Sequence, residues 1–285
     1  MGARVLKPFR RLSTMALAAL LVALVGVDAA AQQDGRQGSG RGAEGRQGGR
    51  GRGGGDPFAG QPRINALIIS GGCCHDYSGE AKVLMDSISK VLPVDWTLAL
   101  HGGRGTVGKI LLYDNPNWSA GFDIVIHNEC FANVTDPAYL RRITAGHRGG
   151  VPAMVIHCSM HSYRAAEVDD WREFLGVTSR THTKLHNIAV KFVAPGEGPL
   201  AGMKSGWTTP ADELYVIDKI WPNAKPLATA VSPEDGKEYP LVWTNQYNGT
   251  TRVFGTTIGH SEATWNDPVF QDLLTRGFTW ALNRK

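Results

Sequence analysis

Four clusters of His, Cys and Glu follow the apolar runs of this chain. Cys73-Cys74-His75 comes after Ile64–Ser70, and His127-Asn128-Glu129-Cys130 closes the run that begins at Asp123. His157-Cys158-Ser159-Met160-His161 closes Val151–Ile156, and Gly259-His260-Ser261-Glu262 follows Arg252–Ile258. Imidazoles exchange protons near neutral pH and ligate divalent metals, so two chemistries suit these clusters. In the first, His157 and His260 act as general acid and base, and Glu262 orients His260. In the second, His75, His157 and His161 hold a divalent metal such as zinc, with Glu129 or His260 completing the set. His157 and His161 are four apart, as are His182 and His186, a spacing that can share one helix face. Substrate contacts are expected from His75, Asn128, Glu129, Asp212, Glu213 and Trp265. The duller readings are core histidines (His127 above all), a turn at Asp212-Glu213, and Trp265 as an anchor for the last helix.

A cysteine nucleophile is a third reading, with Cys158 as its candidate. A nucleophile elbow needs small residues two places to either side, and Cys158 has Ile156 and Met160 there. His157 takes the nucleophile's place instead. The four cysteines in turn allow three disulfide pairings, among them a bridge from Cys74 to Cys130.

Elements with a particular order must bring these clusters together. Ile64–Ser70, Asp95–Leu100, Asp123–His127 and Val151–His157 read as buried strands. Helical spacing separates them over Ser78–Val91, more weakly over Val107–Leu112, and after Thr135-Asp136-Pro137, where a capping residue and an early Pro precede a stop at Gly149-Gly150. That alternation predicts a parallel three-layer α/β sheet. Ligands of such sheets bind beyond the carboxyl ends of the strands, where all four clusters fall. The second half reads as short strands over Asn187–Val193, Glu213–Ile217, Lys225–Val231, Leu241–Asn245 and Arg252–Ile258. They are expected to extend the sheet with antiparallel additions and to form a lobe over its carboxyl edge. A helix over Pro268–Leu282 closes the chain.

The chain starts differently. Arg4, Lys7, Arg10 and Arg11 precede an apolar stretch from Met15 to Val27, and Ala29-Ala30-Ala31 follows. These features predict a signal peptide over residues 1–31 and hence an exported, periplasmic or extracellular protein. Residues 32–61 are rich in Gly and Arg and read as a disordered linker. Residues 1–31 and residues 32–55 each carry three more basic than acidic side chains, so a total of +4 leaves residues 56–285 mildly acidic, at −2. That excludes an electrostatic case for a nucleic acid partner of the folded part. No membrane partner is expected once the leader is removed, and a homo-oligomer is left open.

Tyr239-Pro240-Leu241-Val242-Trp243-Thr244, Arg252-Val253-Phe254, Gly259-His260 and Trp265-Asn266-Asp267-Pro268 together resemble the ThuA-like (trehalose utilisation) family. Asp212-Glu213-Leu214-Tyr215, Val155-Ile156-His157 and His75-Asp76 are similar to further segments of it. Val155 and Thr251 depart from the pattern, standing where the family usually has Gly. The resemblance spans nearly all of Pro62 to Lys285. It implies a flavodoxin-like sheet similar to class I glutamine amidotransferases, and a small-molecule carbohydrate substrate among trehalose-like disaccharides and 3-keto-glycosides. A non-catalytic sugar-binding or scaffold module is the alternative, and an amidohydrolase using Cys158 the second alternative.

Overall fold

The computed structural model describes residues 56–101 and 104–283. The expected leader, and the linker up to residue 55, lie outside the described residues. Among the described residues, no helix is long and apolar enough to cross a membrane.

Five strands form the parallel half of the sheet: β1 (Ile64–Gly72), β2 (Val94–His101), β3 (Ile124–Cys130), β4 (Ala153–Ile156) and, from the far end of the chain, β12 (Thr251–Thr256). Their order is β2-β1-β3-β4-β12, the flavodoxin-like arrangement expected from the alternating pattern. β11 (Glu238–Tyr247), β10 (Ala224–Val231) and β7 (Lys191–Phe192) extend it antiparallel beyond β12. Three of them, β1, β3 and β4, are buried almost throughout on both faces, which explains why they read as continuous apolar runs, whereas β2 lies at the edge and is largely exposed.

Helices cover both faces. α1 (Tyr77–Ser89) packs against α5 (Pro268–Ala281) on one side, and α2 (Pro137–Arg148) against α3 (Asp170–Leu175) on the other. Sequence signals set the helix starts. Asp76, Asp136 and Asp267 each accept hydrogen bonds from first-turn amides, and Pro137 and Pro268 occupy first positions that lack an amide partner anyway. The Trp243 of the family pattern is fully buried and donates its indole N–H to the Leu175 carbonyl at 2.8 Å. It lies so close to Gly255 that a Cβ there would meet its ring at 2.3 Å.

Two expectations change. Val107–Leu112 is not a helix; only a 3₁₀ turn forms there, over Leu111–Asp114, because the segment has little apolar periodicity to bury. The later strands both extend the sheet and pair outside it, as expected, but they carry two histidines whose spacing suggests one helix face. β5 (Val177–His182) pairs with β9 (Tyr215–Ile220), and β6 (His186–Ala189) pairs with β8 (Thr208–Asp212). His182 and His186 therefore sit on strands rather than on one helix face. α4 (Glu262–Trp265) is a single turn between β12 and α5.

Candidate functional site

His75 is held by two local devices. Gly72 ends β1 at φ +101°, where a Cβ would meet the Cys130 carbonyl oxygen at 2.2 Å, so only glycine lets the strand leave this close to β3. Asp76 then caps α1, which fixes His75 between strand and helix. His157 follows β4 directly, at the left-handed φ of +44°. That is the sharp, strained strand-end turn at which a nucleophile elbow presents its residue, with an imidazole in place of a thiol. His260 follows β12 by way of Gly259, whose φ of +140° brings it against His157. A Cβ on Gly259 would come within 3.1 Å of the His157 Cβ.

The three imidazoles converge. One ring nitrogen from each of His75, His157 and His260 lies within 4.8 Å of the others. Backbone carbonyls set two of the tautomers. His75 Nδ1 lies 3.2 Å from the His260 carbonyl oxygen, and His157 Nδ1 lies 2.6 Å from that of Thr257. A carbonyl can only accept, so each Nδ1 carries the proton and each Nε2 presents a lone pair. Burial holds both rings neutral. Desolvation, helped by the neighbouring imidazoles, pushes His75 down to about 4, and desolvation likewise brings His157 to about 4.

Glu213 is the carboxylate of the cluster. Its oxygens lie 3.6 Å from His157 Nε2, 3.3 Å from His260 Nδ1 and 3.4 Å from His182 Nδ1. Burial alone would raise the Glu213 carboxyl, but His260, His157 and His182 together hold it below its ordinary range. Glu213 in turn raises His260, chiefly through its contact with that ring. The Tyr215 hydroxyl stands 3.5 Å from His157 Nε2.

The structure redistributes several expected roles. Glu262 is exposed at the first residue of α4, and Glu213 rather than Glu262 stands beside His260. His161 lies apart from the group in which His260 stands with His75 and His157. The His161 ring is stacked on Tyr215 at 4.1 Å between centroids and bonded to Ser179 Oγ at 3.0 Å. Asp212 is fully buried and does not face a substrate. Its carboxylate accepts from the amides of Gly259, His260 and Glu213 and from the Thr264 hydroxyl, which ties β8 to the loop after β12. Glu129 projects to the opposite face of β3, where Tyr113, His127 and Tyr163 surround it. Asn128 is buried and donates to Glu80 Oε2 at 2.8 Å. Trp265 is 2 % exposed and donates to the Gly259 carbonyl, so it anchors the chain around His260. His147 is buried in α2 against His127. The cysteines pair as Cys73–Cys74 and Cys130–Cys158, not as Cys74–Cys130, so Cys158 has no free thiol to act as nucleophile.

Two participants were not visible in the sequence, and a third sits in a different setting from the one its spacing suggests. Glu80 is buried in α1, 3.8 Å from His75 Nδ1, and desolvation raises its carboxyl to about 7. The Glu in the first turn after His-Asp was the available signal. His182, paired by its spacing with His186 in the sequence, instead contacts Glu213 from β5; Thr257, which supplies the carbonyl that orients His157, carries no local mark. A cavity of about 220 Å³ opens beside the cluster, lined by Asp76, Glu80, Val83, His260, Glu262 and Trp265.

Fold and site together define a flavodoxin-like α/β protein with a histidine-rich centre at the carboxyl edge of its sheet. Residues 116–281 match the ThuA family, described as trehalose utilisation, and the chain belongs to that family. Among solved structures it is similar to a ThuA-like protein of Parabacteroides merdae ATCC 43184, with 20% identity and a TM-score of 0.61, covering 78% of this chain and 90% of that one. It is also similar to a ThuA-like protein of Bacteroides uniformis ATCC 8492, with 14% identity and a TM-score of 0.61, covering 79% and 93%. No curated protein matches the chain.

Proposed function

We propose that this is an exported protein that processes a trehalose-like disaccharide or a 3-keto-glycoside at a divalent metal centre held by His75, His157 and His260. One observation carries the reading: two carbonyl-fixed tautomers and a third imidazole direct lone pairs into one buried space, with Glu213 as a neighbouring oxygen donor. Three imidazoles and a carboxylate are a donor set that suits zinc. When bound, such an ion supplies Lewis-acid polarisation of a sugar oxygen or of water. The protein's own groups do the rest. Glu213 can accept a proton beside the His260 ring, and Glu80, raised to about 7, holds one near neutral pH on the α1 side. Family membership supports the carbohydrate substrate.

The test combines metal analysis of the purified protein with turnover of disaccharides and keto-glycosides. About one divalent ion per chain is expected, lost in His157→Ala and His260→Ala together with at least ~100-fold of the activity. Full turnover by metal-free wild-type protein would replace the metal by acid–base catalysis. Thermal stabilisation by a sugar with no product formed would replace the enzyme by a binding module.

A further inference from the structure

The four cysteines gather immediately beside the histidine cluster, on adjacent strand ends. Cys73 and Cys74 follow β1, Cys130 ends β3, and Cys158 follows His157 after β4. Their accessibility is graded. Cys74 is exposed and Cys73 half-buried, whereas Cys130 and Cys158 are buried in a small apolar group with Tyr77. Cys73 Sγ lies only 3.7 Å from Cys130 Sγ, so the two disulfides touch. The Cys73 amide donates to the Cys130 carbonyl, and the Tyr77 hydroxyl donates to the Cys73 carbonyl, which fixes that approach.

The Cys73–Cys74 bond makes little sense as a staple. A disulfide stabilises mainly by closing a loop in the unfolded chain, and adjacent residues enclose almost no loop. It also carries a backbone cost, since Cys74 sits at φ +90° without being glycine. Strained or exposed disulfides are the labile ones. A bond of that kind in contact with a buried disulfide has the layout of an exchange relay.

We propose that the four cysteines form a thiol–disulfide exchange site that takes an electron pair from an external dithiol at Cys74 and passes it to the buried Cys130–Cys158 bridge. The dithiol's thiolate attacks Cys74 Sγ, the Cys73–Cys74 bond breaks, and Cys73 leaves as thiolate. The dithiol's second sulfur closes its own disulfide and releases Cys74 as thiol. Cys73 thiolate then attacks Cys130 Sγ, forming Cys73–Cys130 and expelling Cys158 as a thiolate that takes up a proton. Finally Cys74 thiolate attacks Cys73 Sγ, restoring Cys73–Cys74 and freeing Cys130 as a thiol. In balance, the dithiol is oxidised to its disulfide and Cys130–Cys158 is reduced to two thiols. Each of the two internal attacks joins sulfurs already adjacent in the fold. The reaction opens the bridge that ties the end of β3 to the turn carrying His157.

The experiment uses the oxidised full chain under native conditions. Excess dithiothreitol is added, samples are quenched with acid, and free thiols are alkylated and assigned by peptide mass spectrometry. Cys130 and Cys158 should become alkylatable at least ~10-fold more slowly in Cys73→Ser/Cys74→Ser than in the wild type, because the double variant lacks the entry thiols. Equal rates would overturn the relay. The single variant Cys74→Ser, studied without reductant, leaves Cys73 as a lone thiol facing Cys130. It should contain a Cys73–Cys130 bridge and an alkylatable Cys158, in a fraction on the order of a tenth or more for exchange between comparable disulfides. Finding only Cys130–Cys158 and an alkylated Cys73 would refute the proposal, even if the double variant fails to fold.

Discussion

Glu213 is the residue on which the candidate site turns, because it meets three imidazoles at once. Its effect on His260 is directly measurable. Glu213 raises His260 by favouring the protonated ring, so Glu213→Gln should remove that support while keeping the side chain's size. In metal-free protein, an NMR titration should show His260 titrating at lower pH in the variant than in the wild type. An unchanged His260 titration would mean that the two groups do not interact in solution. The sequence marked both residues as site candidates and attached the wrong carboxylate to His260. Glu262 is nearer in the chain, but it starts α4 and is carried to the surface. Glu213 arrives from the β8–β9 connection, a meeting that only the folded chain makes.

At the scale of elements, Asp212 holds together the parts of the histidine cluster. Its buried carboxylate accepts amides from both Glu213 and the loop of His260, so a single side chain sets the spacing of β8 and the loop after β12. Asp212→Ala would leave those amides and the Thr264 hydroxyl without an acceptor. The expected cost is about 3 kcal/mol in urea unfolding, together with loss of metal binding. A variant of wild-type stability and full metal content would remove Asp212 from this positioning role. Regular elements were well marked in the sequence. The buried parallel strands stood out as apolar runs, and capping Asp residues followed by Pro marked α2 and α5. The lobe was less legible. β5 and β8 are short, half-buried and bulged, so their alternation is too weak to read. With β5 unread, the contact of His182 with Glu213 could not be foreseen.

Across the whole molecule, buried neutral histidines tie stability to pH. Desolvation holds His147 well below its ordinary range and brings His161 to about 2. In the unfolded chain both titrate near 6.5, so below that pH the unfolded state binds protons that the native state refuses. Stability is therefore fully present above about pH 6.5 and falls as the pH drops towards 4, with His75 and His157 adding to the loss in metal-free protein. Glu80 acts in the opposite sense, since a carboxyl raised to about 7 favours the native state as the pH falls through that range. The histidines outnumber it. The melting temperature should fall by about 5 °C or more between pH 7 and pH 5, and His161→Gln should flatten the slope. A melting temperature that is flat over that interval would mean that these rings accept protons in the native state.

The sequence by itself determined the parallel core, its carboxyl edge as the place of the site, and three of the residues gathered there: His75, His157 and His260. Strand burial and helix capping are local properties, written in runs of side chains and readable one segment at a time. The tertiary structure decided the rest: Glu213 in place of Glu262, His260 in place of His161, Glu80 beneath His75, and the pairing of the four cysteines. Each of these depends on which strand ends become neighbours in the order β2-β1-β3-β4-β12 and on what the lobe lays across them. Contacts between residues dozens of positions apart come from packing and leave no periodic trace in the chain.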